Sequence, residues 1–89
     1  MSREIIFTPT AWNEYMDWQK ADKKIAGKVN ELIKAIQRSP FDGLGKPEPL
    51  KGNLSGYWSR HITDKHRIIY EVSNDKLRII QVENHYDDK

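Results

Sequence analysis

The residues best suited to chemistry in this sequence are a glutamate held between two prolines, an arginine near the start of a β-rich run, and a His-Tyr pair close to the end. Glu48 lies between Pro47 and Pro49; both rings restrict the backbone, and Pro49 disfavours helix at Glu48 itself. A carboxylate on such a stiff segment can be aimed, as a general base must be; the plainer alternative is a solvated loop glutamate. His85 carries an imidazole that titrates near neutrality and suits proton transfer, and Tyr86 can stack on a base or donate a hydrogen bond. The same pair also fits a surface histidine in a terminal segment with a tyrosine packed on a sheet edge. Arg67 offers planar paired donors to a phosphate, or pairs with a neighbouring acid on an exposed strand. Lys46, Lys51, Arg60 and His61 supply further cationic or protonatable groups, for phosphate contacts or simply for solubility.

Taken together, one carboxylate, one arginine, one histidine and one tyrosine beside basic residues match what RNA cleavage without a metal needs. The 2′-hydroxyl must lose a proton to attack its own phosphate, the phosphorane gains negative charge, and the leaving 5′-oxygen takes a proton. A base, a cation and an acid answer those needs, and positioned proton transfer contributes typically ~10²–10⁴-fold. No cofactor is expected. His61 and His66 flank a turn without an evident third ligand, so no metal site is expected either. With no cysteine, thiolate metal sites, disulfides and a cysteine nucleophile are excluded. Gly43-Leu44-Gly45-Lys46 lacks the frame, the Ser/Thr and the following helix of a phosphate loop.

These residues must be positioned by 89 residues, enough for one small domain and too few for a doubly wound sheet or a separate cofactor domain. Fifteen Lys+Arg against thirteen Asp+Glu give a net charge of only +2. The distribution says more: residues 46–67 hold Lys46, Lys51, Arg60, Lys65 and Arg67 against Glu48 and Asp64. No apolar run approaches the ~20 residues of a membrane span, and no positive–apolar–small segment opens the chain, so a soluble cytoplasmic protein is expected.

Residues 3–7 read as a strand. Thr8-Pro9 is a helix start, with Trp12, Tyr15, Met16 and Gln19 on one face. Asp22 begins a second helix whose apolar face carries Ile25, Val29, Leu32, Ile33 and Ile36, and Ser39-Pro40 stops it. Residues 41–56 form a Gly/Pro-rich loop with a short strand near Leu50, and strands follow at 57–62, 66–72 and 77–83. The expected fold is α+β: an N-terminal strand and a helical hairpin packed on one face of a mostly antiparallel sheet. Alternation puts Ile68, Tyr70 and Val72 on the core side and Arg67, Ile69 and Glu71 opposite. Trp58, Arg60 and Ile62 share one face of their strand, and Tyr57, Ser59 and His61 share the other. A basic, aromatic face away from the helices fits an RNA groove.

Lys46-Pro47-Glu48-Pro49-Leu50-Lys51, Asn53 to Arg60, Ile62-Thr63, His66-Arg67 and the terminal His85-Tyr86 resemble the YoeB/Txe toxins of bacterial toxin–antitoxin modules, within the RelE/ParE superfamily. Asp22 to Ile25 and Asn30 to Ile33 are similar to that family as well. The resemblance implies a RelE-like toxin domain over residues 1–86, followed by a short acidic tail, 87–89. It implies the toxin of a type II module: a ribosome-dependent endoribonuclease that cuts mRNA in the A site of the 70S ribosome. It also implies a cognate antitoxin of the YefM/Axe type, operator DNA contacted only through the antitoxin complex, and a homodimer in many members. By the same resemblance Glu48 is the general base, His85 the general acid, Arg67 the phosphate stabiliser and Tyr86 an orienting group, with Lys46, Lys51, Arg60 and His61 binding RNA. His61 stands where the family often has arginine, which weakens phosphate binding there or makes it pH-dependent. Two rivals remain on the residues alone: a non-catalytic ribosome- or nucleic-acid-binding domain, and a ParE-like gyrase inhibitor on the same fold.

Overall fold

In the computed structural model, which describes residues 3–84, the first helix begins where Thr8 stops being extended. The Thr8 hydroxyl accepts a hydrogen bond from the Ala11 amide at 3.1 Å, and Pro9 occupies the first helical turn, where its missing N–H costs nothing. The resulting α1 spans Pro9–Ala21. Asp22 then does two jobs. Its backbone N–H closes α1 on the Trp18 carbonyl, and its carboxylate accepts from Lys24 N and Ile25 N, both at 3.1 Å, to open α2, Lys23–Arg38. One residue thus ends one helix and starts the next, which makes the turn of the hairpin abrupt. Ser39 closes α2 on the Ala35 carbonyl, and Pro40 follows it.

The strands are β1 (Glu4–Phe7), β2 (Glu48–Pro49), β3 (Trp58–His61), β4 (Arg67–Val72) and β5 (Lys76–Val82), with a 3-10 turn at Gly52–Leu54. They form one five-stranded sheet in the order β1-β5-β4-β3-β2. β1 lies parallel to β5 and the other pairs are antiparallel. The register between β4 and β5 shifts at Ile69/Tyr70, so that Ile69 faces Gln81 and Tyr70 faces Ile79.

Both helices cover one face of this sheet. Val29, Leu32, Ile33 and Ile36 of α2 meet Ile62, Ile68, Tyr70, Leu77, Ile79 and Val82 in a single apolar core. The expected inward faces of α2 and β4 therefore hold, with Val72 and Ile25 packed at the margin. The face expected for α1 is displaced by one residue. Ala11 and Trp18 are buried, whereas Trp12 is 47% and Met16 38% exposed. The i, i+3, i+4, i+7 spacing is present, but it runs 11, 14, 15, 18. This face buries the Trp18 ring and also makes two polar contacts: the Glu14 carboxylate accepts from Val82 N at 2.8 Å and the Trp18 indole donates to the Glu83 carbonyl at 2.8 Å. With that face inward, Trp12 is left beside Phe7, ring centroids 5.3 Å apart, on the outside.

Tyr70 is wholly buried and donates its hydroxyl proton to the Pro40 carbonyl at 2.7 Å. Burial pushes its pKa up from the ordinary 10.0, against the opposing pull of the Arg60 hydrogen bond and charge. The neutral phenol is the form the fold prefers. Its stabilisation is fully present below the unfolded value of 10.0 and is lost as pH rises through the higher folded value. Thermal melts from pH 8 upward should thus show a fall in stability beyond about pH 10, and that fall should be shallower in Tyr70→Phe. Replacing Asp22 by alanine, which removes the shared cap, should cost about 1 kcal/mol in urea unfolding.

Candidate nucleic-acid interface

The face of the sheet away from the helices carries Glu48, His61 and Arg67. Cross-strand pairing sets Glu48, Ser59, Ile69 and Gln81 in one row across four strands. The adjacent row holds His61 opposite Arg67, and Glu83 follows Gln81 on the same side. The Glu83 amide donates to the Arg67 carbonyl at 3.0 Å, and its carboxylate accepts from the Arg67 amide at 2.8 Å. Lys46 enters this row from the edge, because the His61 amide bonds the Gly45 carbonyl at 2.8 Å. Glu48 and Arg67 are therefore on one face, two strands and one two-residue step apart, about 12 Å between Cα atoms from standard strand spacing and rise. His61 sits between them. Long side chains from both ends of that span can reach one phosphodiester.

Local sequence explains why Glu48 is there. It lies on the short edge strand β2, exposed, and Pro49 can occupy that edge because it has no N–H to leave unpaired. The segment before it is pressed against the core at Gly45, whose φ of +88° suits glycine. A Cβ at Gly45 would stand 2.8 Å from Leu32 Cδ2 and 3.2 Å from both Arg60 Cβ and the His61 carbonyl oxygen. Lys46 follows with a left-handed φ of 55°, which turns the chain outward into β2. Lys46 and Lys51 are exposed on either side of Glu48, and Arg67 is exposed with no carboxylate in ion-pair contact among the described residues.

One expected RNA contact is corrected. Arg60 is fully buried on the helix side of the sheet, between Trp58 and Ile62 along its strand. Its guanidinium donates to the Tyr70 hydroxyl at 3.1 Å, to the Leu44 carbonyl at 2.9 Å, to the Asp42 carbonyl at 2.9 Å and to the Ser39 carbonyl. Fully buried, with four of its five N–H donors already bonded, this guanidinium has no donor fork to offer a phosphate. Its work is to hold residues 39–44 against β3. The alternation read from the sequence already placed Arg60 with Trp58 and Ile62, and that was the signal for burial. His66 also turns inward, its ring edge-on to Trp18 at 5.3 Å and its Nδ1 bonded to the Thr63 hydroxyl at 2.9 Å. His61 and His66 hence point to opposite sides of the sheet. Among the described residues no group of three His, Asp or Glu is arranged to hold a metal. His85, Tyr86 and the Asp87-Asp88-Lys89 tail lie outside the described residues.

Sequence reasoning did not single out Glu83, which brackets the Arg67 backbone, nor Glu14 and Trp18, which bond the last residue of β5 and the residue after it. Their importance comes from contacts 16 to 68 residues away in sequence, which no local pattern displays.

Two helices on one face of a five-stranded, mostly antiparallel sheet are the fold of the RelE/ParE superfamily of toxins. A YoeB/ParE toxin from Agrobacterium tumefaciens superposes with a TM-score of 0.86 at 46% identity, covering 93% of this chain and 99% of that one. The toxin of a heterotetrameric YoeB–YefM complex from Staphylococcus aureus gives 0.86 at 44% identity over 94% of this chain and 98% of its own. Toxin YoeB of Escherichia coli strain K12 is 52% identical over 83 residues, 93% of this chain and 99% of the relative. The family model for YoeB-like toxins of bacterial type II toxin–antitoxin systems matches residues 7–86, and the chain belongs to that family.

Lysine in place of Arg60 keeps the charge but loses the planar fork that serves four acceptors. Arg60→Lys should destabilise the fold by more than about 2 kcal/mol in chemical denaturation. Limited proteolysis should then cut first within residues 39–44, the segment the guanidinium ties down.

Proposed function

We propose that this toxin is a metal-independent endoribonuclease that cleaves mRNA in the A site of the cytoplasmic ribosome. Glu48 takes the proton of the 2′-hydroxyl, which attacks the adjacent phosphorus. Arg67 neutralises the charge that builds on the phosphorane oxygens. His85 gives a proton to the departing 5′-oxygen, and Tyr86 orients the base or the phosphate. The products are a 2′,3′-cyclic phosphate and a 5′-hydroxyl. Lys46, Lys51 and His61 bind the RNA backbone; Arg60 is left out of that set because it is buried. The observation that supports this reading best is the register that sets Glu48 and Arg67 on one face of the sheet, with Glu83 bonded to the Arg67 backbone.

Base and acid cannot be traded for one another in this scheme, since one must begin deprotonated and the other protonated. An oriented cation at the phosphorane adds stabilisation that appears only as charge develops. In the cell the activity is held in check by an antitoxin, as the YoeB–YefM complex from S. aureus suggests. Through that partner, not by itself, the toxin reaches operator DNA, and two copies of the chain pair as a dimer.

Primer extension on translated mRNA after brief induction tests the mechanism. The parent chain should produce discrete cuts within coding sequence, and Glu48→Gln should lower the cleavage rate by about 10²-fold or more while leaving the thermal melt in place. A 2′-deoxy nucleotide at the scissile position should abolish cutting there. Translation arrest with intact mRNA, or continued cutting at the deoxy position, would overturn the assignment.

A further inference from the structure

Past Ile79, β1 no longer covers its edge of β5, and α1 takes its place. The register of β1 ends at Phe7 opposite Ile79. From there the Thr8 hydroxyl donates to the Ile80 carbonyl at 3.1 Å, and the Glu14 carboxylate accepts from the Val82 amide at 2.8 Å. The Trp18 indole donates to the Glu83 carbonyl at 2.8 Å, and the Asn84 side-chain amide donates to the Glu14 carbonyl at 3.2 Å. Residues 82, 83 and 84 are thus each tied to α1, while Glu83 is tied on its other side to the Arg67 backbone. Three consecutive residues are fastened to α1, up to the last described position.

We propose that Glu14 and Trp18 are positioning residues for the nuclease: they fasten residues 82–84 to α1, and so fix the stretch of chain that directly precedes His85 and Tyr86 in sequence. This rests on the nuclease reading above. Neither residue touches RNA. Each acts by restricting where the next residues of the chain can go, and a misplacement of about 1 Å at a proton donor can cost a factor of about 10² in rate. The clamp also accounts for the displaced face of α1. Turning the helix by one residue leaves Trp12 and Met16 in water, and it brings Glu14 and Trp18 onto the chain that leads to the acid.

Glu14→Ala and Glu14→Gln, compared on mRNA-programmed ribosomes, separate this role from a merely structural one. Alanine removes the acceptor for the Val82 amide, whereas glutamine retains a carbonyl in its place. Glu14→Ala should slow cleavage at saturating ribosomes by about 10-fold or more, with the half-saturating concentration changed less than about twofold. Glu14→Gln should recover most of the parent rate. Hydrogen exchange supplies a readout independent of catalysis: the Val82 amide should lose protection in Glu14→Ala and keep it in Glu14→Gln. Parent-like cleavage by Glu14→Ala, an equal loss in both variants, or unchanged Val82 protection would each overturn the clamp. A parent chain that cuts no mRNA defeats the nuclease reading instead, while the exchange arm still reports on the clamp itself.

Discussion

A buried guanidinium organises this molecule. Arg60 stands in the core with its donors spent on one phenol and on carbonyls from a loop that has no regular structure of its own. Placing a cation there is costly unless every donor finds an acceptor, and a loop carbonyl without a donor is costly as well. The two deficits cancel only in one arrangement. That arrangement presses residues 39–44 onto β3, sets Gly45 against Leu32, and delivers Pro47-Glu48-Pro49 to the sheet edge in register with Ser59. The exposed carboxylate of the site thus takes its position from a charge on the opposite side of the sheet.

Tyr70 is the hinge of that arrangement. It accepts from Arg60, donates to Pro40 and lies under the guanidinium, whose carbon is 5.9 Å from its ring centroid. Its backbone belongs to β4, the strand that begins with Arg67. One strand therefore supplies an inward side chain, Tyr70, that orders the loop and an outward one, Arg67, on the face away from the helices. Period-two alternation makes this possible.

The fold was legible in the sequence wherever a local rule decides the outcome. Thr8-Pro9 and Asp22 mark helix starts because capping is short-range chemistry. The apolar face of α2 and the inward Ile68 and Tyr70 of β4 follow from periodicity, whereas Ile69, read as facing outward, is itself only 8% exposed. The face of α1 was not legible, because burial of Trp18 and contacts with the far end of β5 outweigh the burial of Trp12 and Met16. Among the site residues, Glu48 and Arg67 could be named from type and spacing, and the structure puts them on one face. Arg60 was misread by residue type, since arginine is rarely buried without a partner and its partners here are carbonyls no motif encodes. Its strand position told the truth that its charge obscured.

β1 has one neighbour in the sheet, and that neighbour is β5: Glu4 pairs with Lys76 and Phe7 with Ile79. The first strand to leave the ribosome during synthesis has nothing to lie against until the last strand is made. The helical hairpin and the β3–β4 pair rest on nearer contacts, whereas the β1–β5 pairing forms only once the intervening chain has been spanned. Closure of the sheet at β1 therefore waits on partners 72 residues away in sequence.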